Sequence, residues 1–265
     1  MTKRPAGLYL TDDGVPVNTH SMLKTFRRCP KQAQYKYVDR LKPKVLGKPL
    51  RRGTWFHALL EAYYKGEDWR AKHEELTQEF AGYFDEEKED LGDLPTECLR
   101  LMLGYLWHYK NEVWTVHEVE FTLETNFPDG SIYRGRVDML IEDEYGLWIV
   151  DHKTHKTLPN LDFRLLDAQS ALYIWAAHRN NIPVLGHIWN YVRTKPPTKP
   201  QLLKDGTRLS KRAIDTDYPT FVLALKEYGI EPQRYAREVN RLKRMRYQHG
   251  EMQTSPFFRR DVLEK

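Results

Sequence analysis

Apolar positions along this chain change their period twice, and the changes divide it into a helical beginning, an extended middle and a mostly polar end. Between residues 19 and 40, Met22, Leu23, Phe26, Tyr35 and Val38 recur at helical spacing from a start near Thr19 or Ser21, and Cys29-Pro30 interrupts them. Two short helices are predicted there. Residues 41–52 are basic and carry Pro43 and Pro49, which reads as a loop able to lie against a phosphate backbone. From Thr54 to Tyr64 the helical spacing returns, with Gly53-Thr54 as its cap, so that His57 and Glu61 share one face. A long acidic and aromatic helix over 69–89, a break at 91–95 and a helix over 96–113 complete the helical beginning.

The period then falls to two. Residues 116–125 alternate, 131–141 are extended, Asp143-Glu144-Tyr145-Gly146 is a turn signal, and 147–153 form a short apolar strand. A helix over 165–180 and a strand over 186–193 follow. This order predicts an α/β fold with a central mixed sheet flanked by helices. Residues 194–219, rich in Pro, Lys and Thr, read as a long ordered loop or flap. A basic helix over 231–249 sets Arg234, Arg237, Arg241, Lys243, Arg244 and Arg246 against Glu238 and Glu251. At 265 residues the chain fits a single domain, with a helical N-terminal region over residues 1–115, a core over 116–193, and a flap and basic helix over 194–265.

Charged residues make up 30% of the chain, and the net charge of +5 permits a nucleic-acid partner without requiring one. Only Cys29 and Cys98 occur, at no zinc-ribbon or redox spacing. Polar residues follow Met1-Thr2-Lys3-Arg4-Pro5, so neither a secretory signal nor a membrane span is read, and a soluble, cytoplasmic protein without a membrane partner is expected.

Candidate chemistry gathers on the two inner strands. Asp138 ends the run 133–137, and Asp151-His152-Lys153 ends the run 146–150. If these runs are strands of one hairpin, two carboxylates and an ammonium converge, and hard oxygen ligands of this kind suit Mg²⁺ or Mn²⁺ beside a phosphodiester. Alternation puts Lys153 on the side of Asp151, where it orients or deprotonates the attacking water or stabilises the transition state, and turns the His152 imidazole to the other face while its carbonyl stays with the metal. An Asp-Lys ion pair closing a strand is the competing reading. His57 is a candidate third ligand, with Glu61 one turn on to orient it; a packed helical histidine is the alternative. Glu120, alternating with Glu118, is a candidate outer ligand. Gln169 and Tyr173 project from one helix face, where Gln169 can bridge Lys153 or a phosphate and Tyr173 can donate to a phosphate, or the tyrosine is simply core. The basic helix and the Lys195–Lys211 flap either track a nucleic-acid backbone or are solvated faces.

Taken together, Gly53-x3-His57-x3-Glu61, Gly135-Arg136-Val137-Asp138, Ile149-Val150-Asp151-His152-Lys153-Thr154 and Gln169-x3-Tyr173 resemble the RecB-like branch of the PD-(D/E)XK nuclease superfamily, closest to its CRISPR-associated and bacteriophage exonucleases. The resemblance runs over about residues 20–193. It implies a restriction-endonuclease-like core, His57, Asp138 and Asp151 as metal ligands, Lys153 as the catalytic lysine, and Gln169 and Tyr173 as the helix motif that positions DNA. It further implies metal-dependent exonucleolytic degradation of DNA ends, with a role in phage recombination or replication in the host cytoplasm, and a helicase or annealing protein as a possible partner. A structure-specific or restriction-type endonuclease and an inactive nucleic-acid-binding module are the alternatives. Many relatives hold a four-cysteine iron-sulfur cluster. Cys29-Pro30 matches its first box, but no cysteine lies near the C-terminus, so no iron-sulfur cluster is expected and the aromatic tail around Phe257 and Phe258 is expected to clamp the ends.

Overall fold

Strand-forming residues in the middle of the chain build a six-stranded mixed sheet with helices on both faces. The computed structural model describes residues 10–41, 43, 46–159, 167–210, 215–245 and 255–264. The elements in chain order are β1 (Val17–Asn18), α1 (His20–Arg28), α2 (Pro30–Ala33) continuing as a π-helical turn (Gln34–Val38), α3 (Lys48–Tyr64), α4 (Trp69–Ala81), α5 (Asp85–Leu91), α6 (Leu94–His108), β2 (Thr115–Asn126), β3 (Ile132–Glu142), β4 (Leu147–His155), α7 (Ala168–Arg179), β5 (Gly186–Arg193), α8 (Tyr218–Glu227), a 3₁₀ turn (Pro232–Tyr235), α9 (Ala236–Arg244) and β6 (Phe258–Glu264).

The central strand, β3, has a divided edge. β2 runs antiparallel along one side of it from Thr115↔Glu142 to Asn126↔Ile132. On the other side β1 runs parallel to its first residues, at Val17↔Ile132, and β4 antiparallel to its last four, from Met139↔Val150 to Glu142↔Leu147. β5 joins β4 in parallel over Trp148–His155 through the α7 crossover, and β6 closes the far edge antiparallel to β5. Both faces of β4 are covered, so Trp148 to His152 are all buried and the strand reads as one apolar run rather than an alternation.

The two faces are packed differently. Phe56, Leu59 and Leu60 of α3 and Leu101, Met102 and Tyr105 of α6 form the larger core, which also takes in Val192 and Phe258. Tyr173, Ala176 and Ala177 of α7 cover Val137, Leu140 and Ile149 on the other face. A buried bond of 2.8 Å between Ser170 Oγ and His187 Nδ1 ties α7 to β5. Burial lowers the His187 pKa to about 4. Between about pH 6.5 and 4 the unfolded chain therefore binds a proton that the folded chain refuses, so the stability this group contributes is full above 6.5 and is lost as pH falls toward 4. The linkage amounts to on the order of 3 kcal/mol. Urea unfolding between pH 4 and 7 should show a shallower acid limb in His187→Gln than in the wild type, and parallel limbs would contradict the assignment.

Several elements depart from the sequence reading. α3 begins at Lys48, with Pro49 in its first turn, so Gly53-Thr54 lies inside the helix rather than capping it. At Gly53 the helix passes close to β4, and a Cβ there would make an ordinary contact of 3.5 Å with Thr154 Oγ1. The expected helix over 69–89 is two helices broken after Ala81, with Asp68 capping the first, and Asp93 caps α6 at Leu94 rather than 96. The polar 194–219 segment is not simply a flap, because a Leu202↔Leu209 bridge folds it back and Leu209 packs with Phe221, Leu225 and Leu242 in a small core of its own. β1, α8 and β6 have no counterpart in the sequence pattern. Phe257 and Phe258 are buried against α6, and the tail after them is sheet. Leu165 and Leu166 of the expected 165–180 helix, Lys42, Lys44 and Val45, and Lys211 and Arg246–His249 lie outside the described residues. No helix among the described residues is long and apolar enough to cross a membrane.

Candidate metal-dependent active site

The fork in the edge of β3 creates the site. Val137 and Leu140 both face α7 while Met139 and Ile141 face the opposite core, so the alternation slips at Asp138, where the β4 pairing stops. The Asp138 carboxylate fills that fork, and its Oδ2 accepts from the His152 backbone N–H at 2.7 Å. α3 delivers His57, whose Nδ1 stands 3.4 Å from the same oxygen.

β2 contributes Glu120 through an unusual backbone. Its register slips around His117, and Glu120 has φ +53°, a left-handed conformation that costs a non-glycine residue on the order of 1–3 kcal/mol. The ladder passes from Val119↔Met139 to Phe121↔Val137, which leaves Glu120 beside Asp138. One ligand atom each from His57, Glu120 and Asp138 lies within 4.8 Å of the others. Glu120 also pairs with Arg136 at 2.5 Å. Its alternation with Glu118 is a visible signal, but the kink that turns it inward leaves no mark in the sequence.

Asp151 and Lys153 stand alongside on β4, with Nζ 2.5 Å from Asp151 Oδ2. Asp151 is 3% exposed and Lys153 33%, so the acid is interior and the ammonium reaches the cleft. The cleft lining includes Leu50, His57, Glu61, Glu120, Arg136 and Lys153. Glu61 is engaged with Lys65 at 2.6 Å. Burial, followed by repulsion from Asp151, holds the Asp138 carboxyl well above its usual pKa. Burial lowers the His57 pKa, favouring the neutral, ligating imidazole. Burial works against the Lys153 ammonium, yet attraction to Asp151 and Asp138 outweighs it and raises the pKa. A hard-oxygen set with one imidazole nitrogen, in which one carboxyl is crowded toward protonation by another, fits a divalent cation of the Mg²⁺ or Mn²⁺ kind.

The expected direction of the His152 ring is what the structure has. It lies in the α3/α6 core, stacked on Tyr64 at 5.9 Å and 3.1 Å from Asn190 Nδ2 through its Nδ1, outside the ligand cluster. Burial drives its pKa well down, keeping it neutral. Asn190 also donates to the Tyr105 hydroxyl at 2.7 Å and accepts from the Tyr109 hydroxyl at 3.0 Å. The peptide N–H that holds Asp138 thus belongs to a residue fixed on three sides.

Gln169 and Tyr173 sit one turn apart in α7, but the Gln169 amide donates to the Tyr173 hydroxyl at 3.0 Å rather than bridging Lys153. Tyr173 donates to the Arg136 carbonyl at 2.5 Å, two residues before Asp138. Gly135 leaves room for that ring, since a Cβ there would fall 2.7 Å from Tyr173 Cε1. The motif therefore braces the strand that carries Asp138. Away from the cleft, the expected basic tracks are partly neutralised by Arg241–Glu238, Lys195–Asp215 and Lys199–Glu227 pairs.

Comparison with protein families matches the PD-(D/E)XK nuclease superfamily over residues 18–257. Among solved structures, the crystal structure of SSO0001 is similar at 17% identity, covering 75% of this chain and 82% of that one with a TM-score of 0.26. No curated protein matches the chain significantly in sequence.

Proposed function

Because the chain belongs to the PD-(D/E)XK nuclease superfamily, whose members typically use divalent metals, we propose that it is a Mg²⁺- or Mn²⁺-dependent deoxyribonuclease of the RecB-like branch that degrades DNA from a free end. The observation that supports this most directly is the His57, Glu120 and Asp138 cluster beside the Asp151–Lys153 pair. In this reading His57, Asp138 and Asp151, with the main-chain carbonyl of His152, hold the cation, and Glu120 joins them from β2. A bound cation supplies charge neutralisation on the phosphate and a more acidic water.

The protein's own groups do the rest. Lys153 orients the attacking water and meets the charge that builds on the phosphate oxygens. Asp151 holds that ammonium in place. Gln169 and Tyr173 act through the Arg136 carbonyl to fix the Asp138 strand, which makes them positioning groups. The reading places the whole activity in one domain and extends to phage recombination or replication, with a helicase or annealing protein as partner.

End-labelled linear DNA and covalently closed circular DNA, incubated with Mg²⁺ or Mn²⁺, separate the possibilities. Loss of the linear form alone is expected. Opening of circles would make the enzyme an endonuclease on the same site, and failure to cut either form would leave a binding module.

A further inference from the structure

A strongly basic stretch of the chain lies outside the cleft lining. Residues 20–41 carry six basic side chains, Lys24, Arg27, Arg28, Lys31, Lys36 and Arg40, against one acid, Asp39, an excess of five that equals the formal net charge of +5 for all 265 residues. Arg27, Arg28 and Lys31 have no carboxylate partner among the described residues; Arg28 donates to Gln32 and Lys31 to Gln34. Aromatic rings are interleaved with them and face water. Phe26 is 58% exposed and Tyr35 45% exposed, with the Lys31 ammonium 4.9 Å from the Tyr35 ring centre.

This face opens on a groove between α1 and α7 whose lining includes Lys24, Phe26, Arg27, Arg28, Phe127 and Leu172. Asp167, which also lines the groove, caps α7 and is held by His20 at 3.2 Å and Lys24 at 3.7 Å. The His20 bond keeps the Asp167 pKa low, and the Lys24 ammonium offsets its charge toward an incoming anion. Two residues further on stands Gln169, the first member of the chain of bonds that reaches the Asp138 strand. One wall of the groove is therefore the helix that braces the site.

A surface of unpaired cations interleaved with exposed rings fits a polyanion with accessible base faces. Duplex DNA hides those faces in its stack, whereas a single strand offers them. Resting on the reading of the chain as a DNA nuclease, we propose that the α1 face is the track along which single-stranded DNA approaches the cleft, with Phe26 stacking on a base and Arg27 and Arg28 holding flanking phosphates.

The test measures fluorescence anisotropy of a labelled oligothymidylate of about 20 nucleotides and of a duplex of equal length, with the full chain in EDTA so that nothing is cut. Phe26→Ala should weaken binding to the single strand by about 5-fold or more and leave the duplex nearly unaffected, and Phe26→Tyr should restore it. Arg27→Gln with Arg28→Gln should flatten the dependence of log affinity on log salt by about 1.4, as expected for two lost phosphate contacts on a single strand. Hydrolysis of bis(p-nitrophenyl) phosphate with Mn²⁺, which needs the metal site but no track, should be unchanged in every variant. Unaltered single-strand affinity in Phe26→Ala, or an equal loss on duplex, would overturn the track while leaving the nuclease reading intact. A wild type that hydrolyses neither DNA nor the small ester would overturn the nuclease reading instead, and the binding comparison would still decide the track.

Discussion

Lys153→Ala is expected to slow phosphodiester cleavage by on the order of 10³-fold, the size of effect seen when a positioned proton-transfer or charge-stabilising group is removed. The ammonium is the cation nearest Asp151, at 2.5 Å, and it reaches the cleft while Asp151 stays interior. Its removal should therefore act on the chemical step more than on cation affinity. Asp138→Ala should differ, abolishing cleavage and also weakening Mn²⁺ binding, because Asp138 shares the cluster with His57 and Glu120. Single-turnover cleavage and calorimetric Mn²⁺ titration of both variants, with thermal melts to verify folding, distinguish the two roles. Cleavage at the wild-type rate in Lys153→Ala would remove that residue from the mechanism.

Glu112→Gln is expected to lower stability by roughly 3–5 kcal/mol, since it removes the countercharge from beside a buried guanidinium. Arg260, on β6, is 5% exposed, lies against the rings of Trp114 at 3.6 Å and Tyr109 at 3.8 Å, and pairs with Glu112. Glu112 also accepts from the Tyr64 hydroxyl at 2.8 Å, and Tyr64 stacks on His152. The pair thus links the C-terminal strand to the wall of the site. A melting temperature lower by about 10 °C is expected for a chain of this size. Replacing both partners, as Glu112→Leu with Arg260→Met, should recover much of the loss, because no charge is then left alone in the core. A single variant as stable as the wild type would mean that water reaches Arg260 and solvates it.

What the residues determined by themselves was mostly local. Alternation placed β2, extended and apolar runs bounded by turn signals placed β3, β4 and β5, helical spacing placed α6 and α7, and together they predicted the mixed sheet, because burying a strand or helix face constrains its own sequence. Asp138, Asp151 and Lys153 were legible for the same reason, as polar residues ending apolar runs, and Gln169 and Tyr173 as a pair one turn apart. Features that depend on contacts between distant segments were not legible. β1 has two residues and β6 follows a polar stretch, so each is a strand only because β3 and β5 offer an edge to pair with. Gly53 looked like a cap and lies inside α3, because the helix starts five residues earlier at Lys48, with Pro49 in its first turn. The place of Glu120 was likewise decided by tertiary structure. A left-handed turn inside a strand is locally unfavourable, and it holds only where the flanking ladder to β3 and the pull of Arg136 more than offset its cost.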